Sequence, residues 1–496
     1  MQVAWKQIRI AVALLAMVGA SATYAQNGTP GVQSPGNGVS ASSRLNLQQC
    51  IDIARQNNIQ IRQGQLTVAN SDLQLRQSRL NRLPSAIFQA NQSLNGGRSV
   101  NPQDNTFVQQ TISSSNFQIN TSATLYNGMV LQNSIKRDEL ALQAGQQELD
   151  ATRNNVSITV AQNYLNVLTG TEQLAIARRQ ADVTQAQLDR IQKLVNAGSA
   201  PEANLYELRA TLASNEVDIV NAQNTVDLAK VSLLQAMNVP INQAFEVEPI
   251  SVPDPNLNPY EASVQQLFDA SSTNMPEIKG ADLRVRSAAL GVQVAKGGLY
   301  PTMTLNGNLN TIYSSAASVP TLNGNIQQTI GFITDPTTGT QIPINASVPD
   351  YGRAGVSYGN QLNNNFSQSL SLFLRVPIFQ GNLSRNRITT ARIQQQNAEL
   401  TAMNTRLTLR QQIETAYTNM RAGANRYKAT QAQVASLERA FQIAESRLNA
   451  GAINATDYSI AKTNLDRARA SLVQTKYDYV FRTKILDFYQ NKPLSF

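Results

Sequence analysis

The chain has 496 residues, with 41 Lys and Arg against 32 Asp and Glu for a formal net charge of +9, no histidine and a single cysteine, Cys50. The missing histidine removes the commonest general base and metal ligand, and one cysteine excludes an internal disulfide. The basic residues are spread along helix-period segments without a cluster or an aromatic platform, which reads as solvated helix surface and speaks against nucleic acid.

Residues 1–25 read as a secretory signal peptide: Lys6 and Arg9 give a positive start, Ile10 to Ala20 is apolar, and Thr23-Tyr24-Ala25 supplies small residues near a cleavage point. Without Lys6 and Arg9 the balance is 41 − 2 = 39 basic against 32 acidic residues. No later stretch approaches the roughly 20 apolar residues of a membrane helix, so any membrane contact is expected through strands or a lipid anchor. An anchor on Cys50 is disfavoured, because Gln48-Gln49 precede it where small residues are wanted. Cys50 instead shares a helical face with Leu47, Ile51, Ile53 and Ala54. Residues 26–43, rich in Gly, Pro, Ser and Asn, read as a flexible leader.

Helical period then runs from Leu45 to Asn57 and from Ile59 to about Arg82, until Pro84 ends it. Past Pro84 the period is two. Ala86, Phe88, Ala90 and Leu94 oppose Gln89, Asn91 and Ser93; after a polar loop, Phe117, Ile119, Thr121, Ala123 and Leu125 oppose Gln118, Asn120, Ser122 and Thr124. Each run has the length of a tilted transmembrane strand, about 9–11 residues, although a soluble hairpin would look much the same. From Gly128 to Asn196 no proline interrupts an Ala/Gln/Leu/Asn-rich helical run, a rod of roughly 100 Å at 1.5 Å per residue. Asn196-Ala197-Gly198-Ser199-Ala200-Pro201 makes a tight turn, a second helix returns from Glu202 to about Met237, and a proline-rich crossover follows over 238–260.

The pattern then repeats. Asn274 to Leu299 answers the early helix, and Pro301 stands 301 − 84 = 217 residues after Pro84. Met303, Leu305, Gly307 and Leu309 alternate with Thr304, Asn306, Asn308 and Asn310. Gln368, Leu370, Leu372, Leu374 and Val376 alternate with mostly serine, broken by Phe373 and Arg375. The long hairpin returns at a constant shift of 253: Gly128 answers Gly381, Tyr164 answers Tyr417, Gly170 answers Gly423, and Asn196-Ala197-Gly198 answers Asn449-Ala450-Gly451. The chain therefore divides into a first repeat (44–240), a crossover linker (241–260), a second repeat (261–490) and a C-terminal tail (491–496). The expected fold is mainly α with membrane β: long antiparallel helical hairpins plus four strands per subunit. Four strands cannot close a barrel, so copies must associate. Two copies give eight strands around a filled interior, and three give twelve with room for a lumen. The residues expected to face lipid are Phe117, Ile119, Leu125, Leu305, Leu370, Leu372 and Leu374.

Over nearly all of its length after the leader, the chain resembles the outer-membrane efflux protein (TolC) family. The resemblance rests on Leu83-Pro84 and its echo Tyr300-Pro301, on the strand-to-helix step Ile378-Phe379-Gln380-Gly381, and on the tip Arg447-Leu448-Asn449-Ala450-Gly451 with Asp457 beyond it. It implies a homotrimer with a 12-stranded barrel in the outer membrane of a Gram-negative bacterium and an α-barrel in the periplasm. It also implies docking to a periplasmic adaptor and an inner-membrane pump or type I secretion ABC transporter. By the same resemblance the hairpin tips, Asn196, Ala197, Gly198 and Ser199 with Asn449, Ala450, Gly451 and Ala452, close the periplasmic entrance and meet the adaptor. Glu445 and Gln442, with Asp189 and Gln192 as their first-repeat counterparts, take the positions where family members narrow that entrance. Asp457 and its counterpart Asn204 are expected to cap the returning helices. Gly170 and Gly423, costly in mid-helix, imply close packing or a bend, and Tyr164 and Tyr417 packing.

No nucleophile–base pair, phosphate loop or paired-acid motif is found, so no enzyme activity, cofactor or metal site is expected. The rival is a periplasmic adaptor or coiled-coil scaffold, which usually carries one hairpin between compact β domains, not two hairpins each beside a strand pair. The Asn-rich segments 95–113 and 314–365 are expected to be extracellular loops, the second long enough to be partly disordered or a receptor site for phage or toxin. The terminal Phe496 follows no alternating strand (KILDFYQNKPLSF) and is discounted as a barrel signal.

Overall fold

The computed structural model describes residues 44–100, 105–109, 111–240, 245–249, 255, 260–334, 336, 339–490 and 492. The expected signal peptide 1–25, the leader 26–43, most of the crossover linker and nearly all of the tail, Phe496 included, lie outside the described residues. The chain groups into two compact units. One takes the chain up to Gln65, Leu149–Met275 and everything from Thr408 on; the other takes Leu66–Glu148 and Pro276–Leu407. Each draws on both sequence repeats.

The first unit opens with β1 (Arg44–Leu45) and α1 (Leu47–Asn57). Asn46 starts this helix with a reciprocal cap: its Oδ1 accepts from the Gln49 N–H at 2.9 Å, and Gln49 Oε1 accepts from the Asn46 N–H at 3.0 Å. Leu45 therefore lies before the helix and not in it, paired in β1. Helix α2 (Ile59–Leu80) follows, and the second repeat reproduces both at a shift of 264 − 47 = 217 as α5 (Val264–Asn274) and α6 (Pro276–Gly297). The same cap recurs between Ser263 and Gln266. The helix expected over Asn274–Leu299 thus starts at Pro276, with α5 before it. Met275 is held extended (φ −67°, ψ 130°) because the residue before proline avoids helical backbone.

Helix α3 (Val130–Asn196) and its echo α8 (Leu383–Asn449) have 67 residues each, related by 383 − 130 = 253 at the start and 449 − 196 = 253 at the end. They turn into α4 (Glu202–Met237) and α9 (Ala455–Tyr489). Both turns satisfy the helix's last carbonyls in the same way. The Ser199 N–H donates to Leu194 O and the Gly198 N–H to Val195 O; the Ala452 N–H donates to Arg447 O and the Gly451 N–H to Leu448 O. Gly198 and Gly451 adopt φ of +72° and +73°, which disfavours any side chain there. Along each hairpin a mid-helix glycine admits its partner helix. A Cβ on Gly170 would lie 3.3 Å from Val226 Cγ2, and one on Gly423 3.4 Å from Arg482 Cδ and 3.5 Å from Tyr479 Cα. Val226 and Tyr479 are themselves 253 apart, so close packing explains both glycines.

Tyr164 is fully buried and donates its hydroxyl to Glu248 O at 2.7 Å, with Leu45 O at 3.3 Å. It thereby holds β1 against β6 (Glu246–Val247), which pairs with it in parallel. Burial, reinforced by the neighbouring Cys50 and Glu248, raises the Tyr164 pKa. Tyr417 is only half-buried, so the repeat kept the residue and not its surroundings.

The second unit carries an antiparallel sheet of order β10-β7-β5-β2. Its strands are β2 (Ser85–Asn95), β5 (Ile112–Tyr126), β7 (Thr302–Ser314) and β10 (Ser367–Arg375). The short pair β3 (Arg98–Val100) and β4 (Phe107–Gln109) fills the first connection. The second connection, expected as a loop, is ordered: β8 (Ser318–Thr334) and β9 (Gln341–Gly355) form a long hairpin, followed by the short helix α7 (Tyr358–Asn364). The two repeat shifts differ by 253 − 217 = 36 residues, and this hairpin accommodates the insertion. Among the described residues no helix is long and apolar enough to cross a membrane.

Candidate functional site

Cross-strand register sorts the four-stranded sheet into two unlike faces. Phe88 pairs with Ile119 and Ile119 with Leu309; Ala123 pairs with Leu305 and Leu305 with Leu372; Met303 pairs with Leu374 and Gly307 with Leu370. Directly opposed residues share a face, so Phe117, Ile119, Leu305, Leu370, Leu372 and Leu374 fall together with Phe88. Leu370 is 75% exposed, an apolar side chain left open by its own subunit. Leu125 sits where the register shifts between Thr124 and Tyr126, so pairing does not assign it to that face.

The opposite face is an amide ladder. Asn308 Nδ2 donates to Asn120 Oδ1 at 2.7 Å, Gln118 Nε2 donates to the same oxygen at 2.7 Å, and Ser122 Oγ donates to Asn306 Oδ1 at 3.0 Å. Ile87 and Phe373 interrupt it with apolar groups. Among the described residues the outer edges of β2 and β10 are unpaired in this sheet. Such open edges invite further strands.

At the hairpin ends the side chains form two apolar seams. Ile191, Leu205 and Leu208 close the first with Leu188 and Val195; Val434, Leu465 and Ala468 close the second with Leu437, Phe441 and Leu472. Asp189 is exposed and accepts from Gln185 Nε2 at 2.7 Å. Half-buried Gln192 donates to Asn196 Oδ1 at 2.9 Å and accepts from Arg209 Nη2 at 3.2 Å. Gln442 and Glu445 are exposed on α8. The tip residues Ala197, Gly198, Ser199, Ala450, Gly451 and Ala452 are exposed too, while Asn196 and Asn449 end the helices.

Sequence reasoning missed a cluster beside Glu445. The Tyr458 ring packs against Phe441 with centres 5.3 Å apart and planes tilted by 46°, and its pKa is raised chiefly by burial and then by Glu445, while a hydrogen bond with Gln187 of α3 pulls the other way. Lys462 contacts both oxygens of Asp466 at 2.7 and 2.8 Å and lies 5.6 Å from the Phe441 ring centre. Two further bonds tie α9 to the first hairpin: Thr456 Oγ1 to Glu207 Oε2 at 3.0 Å, and Gln180 Nε2 to Thr463 Oγ1 at 3.1 Å. The i, i+4 column Tyr458–Lys462–Asp466 was the signal available in the sequence.

The expected caps need correction. Asn454 caps α9, its Oδ1 accepting from the Asp457 N–H at 2.8 Å, and Pro201 precedes α4 without a side-chain bond. Asp457 and Asn204 are the third residues of their helices: Asp457 enters the cap through its backbone N–H and not its carboxylate, and Pro201 has no N–H for the Asn204 side chain to accept. Asp457 still places a carboxylate at the positive end of the dipole.

The family model for outer membrane efflux protein matches residues 50–239 and 267–486, which take in both repeats. No curated protein sequence matches the chain. Several solved structures share its fold. CusC is 19% identical with a TM-score of 0.67, over 90% of this chain and 91% of its own. The Campylobacter jejuni CmeC outer membrane channel is 17% identical with a TM-score of 0.67, over 90% and 84%. The Vibrio cholerae outer membrane protein VceC is 16% identical with a TM-score of 0.67, over 90% and 97%. The matched segments carry the strand pairs and both hairpins, and the family they define is one of channels, not enzymes: this chain belongs to the outer membrane efflux protein family.

Proposed function

We propose that three copies of this outer membrane efflux protein close a twelve-stranded barrel that serves as the exit duct of a tripartite efflux or type I secretion assembly. The observation that carries the reading is the two-faced sheet with open edges at β2 and β10. Joining β10 of one copy to β2 of the next removes every edge, as a membrane sheet requires. The face with Phe117, Ile119, Leu305, Leu370, Leu372 and Leu374 then meets lipid, with Leu125 at its border. The Asn120–Asn308 amide face lines water. Twelve strands leave space for that water where eight would be filled by side chains.

The helical hairpins then lie in the periplasm, and their tips, Asn196 to Ser199 and Asn449 to Ala452, receive the adaptor that links the duct to an inner-membrane pump or ABC transporter. Asp189 and Glu445, with Gln192 and Gln442, take the narrow entrance. The cargo leaves few marks on such a duct, because passage by opening needs no tight subsite. A periplasmic adaptor is set aside, since the family match takes in both hairpins and both strand pairs.

Fractionation followed by a detergent gel with and without heating tests the reading. An outer-membrane band that migrates as a trimer unheated and as a monomer after boiling is expected. Recovery as a soluble periplasmic protein would sink it. In planar bilayers the purified trimer should conduct, and Glu445→Ala and Asp189→Ala should each alter ion selectivity; unchanged selectivity in both removes them from the entrance.

A further inference from the structure

The β8–β9 hairpin is the part of the molecule that the duplicated plan does not explain. It pairs over nearly its whole length, from Ser318 with Gly355 to Thr334 with Gln341, with bulges near Asn323 and Ile330. On β9, Ile342, Ile344, Ala346 and Val348 fall on one face by alternation. Across from them stand Ile333, Gly331, Gln328 and Ile326 of β8. Ile326, Ile333, Ile342 and Ile344 are all exposed. The other face is richer in polar groups, with Thr329 Oγ1 donating to Asn345 Oδ1 at 2.8 Å.

An isolated two-stranded hairpin is marginal in water, and a row of open isoleucines makes it worse. Its base, however, is fixed. The Gln361 side chain is buried; its Oε1 accepts from the Ser314 N–H at 2.9 Å, and its Nε2 donates to Ser314 O at 3.0 Å and Val356 O at 2.9 Å. One amide thus grips the end of β7 and the strand leaving the hairpin. The base of the hairpin is therefore tied to the Ser314 end of the sheet.

We propose that this face is covered by the same face of neighbouring copies, so that the three hairpins of the trimer pack together beyond the Ser314 end of the sheet. The proposal rests on the barrel reading above. Two observations narrow the choice of occupant. Residues 318–355 contain only Asp335, Asp350 and Arg353 as charged groups and no lysine, which is unsuited to phosphate-bearing lipid headgroups. Pro320, Pro343 and Pro349 remove ladder donors, and proline in a sheet turns its nitrogen to the open edge, so strand addition by an extended peptide is interrupted on β9. What remains is apolar face against apolar face. A neighbouring copy presents an identical face at the same end of the sheet, and assembly of the barrel supplies it at high effective concentration.

Cysteine cross-linking in intact outer membranes tests this. The native Cys50 is a silent background, because it is buried and burial pushes its thiol up to about 12. Mild oxidation of Ile344→Cys, and independently of Ile326→Cys, should give a disulfide-linked dimer band in several-fold excess over Asn345→Cys and Gln327→Cys on the opposite face. A trimer in which Ile344→Cys and Ile326→Cys cross-link no better than those controls overturns the hairpin proposal and leaves the channel reading standing. Quenching of a fluorophore on Ile344→Cys by nitroxide-labelled lipid also overturns it, in favour of the bilayer. Absence of any trimer from the unaltered protein removes the channel reading itself.

Discussion

Two glycines at one repeat position experience different constraints. Gly128 and Gly381 both adopt left-handed backbone, with φ of +63° and +55°. A Cβ on Gly128 would lie 2.5 Å from Gly297 O and 2.8 Å from Tyr300 Cβ, whereas one on Gly381 would meet nothing within 4 Å among the described residues. Gly381→Ala should therefore cost only the left-handed backbone strain, about 1–2 kcal/mol. Gly128→Ala must in addition displace the carbonyl that ends α6, and its loss should be clearly larger. Thermal unfolding of the two variants side by side, followed by circular dichroism, checks the order; equal losses would contradict it.

At the scale of elements, the bonds from α9 to the first hairpin set how firmly the hairpins hold together. Tyr458 to Gln187 and Thr456 to Glu207 are among the links near the tips, and they are modest polar links. The double variant Tyr458→Phe with Thr456→Ala should raise the open-channel conductance in planar bilayers while leaving trimer assembly intact. Unchanged conductance would show that these bonds do not restrain the hairpins.

Much of the element plan was legible in the sequence. Proline, glycine and the switch of period marked α2, β2 and the tip turns to within a few residues. The rest was hidden for identifiable reasons. Helix α5 is short and precedes a proline that looked like an interior residue. The hairpin β8–β9 has its alternation broken by two bulges and three prolines, so it read as a loop. Asn454 was overlooked as a cap because Asp457, three residues on, offers a charge. The Tyr458 cluster draws Gln187 from a distant stretch of chain, which no local pattern announces.

On the scale of the whole molecule, the two faces of the sheet should respond oppositely to the same charge. Leu372 and Ser371 are neighbours on β10 whose partners are Leu305 and Asn306. If the Leu372 face meets lipid, Leu372→Arg should cost roughly 2–4 kcal/mol near the bilayer centre and reduce the heat-modifiable trimer in outer-membrane fractions. Ser371→Arg on the amide face should assemble normally and shift selectivity toward anions. Equal assembly of both variants would mean that the faces are assigned wrongly.

The constant shift of 253 between α3 and α8 has a practical consequence for a threefold assembly. In the proposed trimer each repeat-related pair, Gly170 with Gly423 or Asn196 with Asn449, would become six sites of two kinds around one axis. A substitution in one repeat alters alternate sites and spares the others as an internal control, so the two halves of the gene can be assayed against each other inside a single particle.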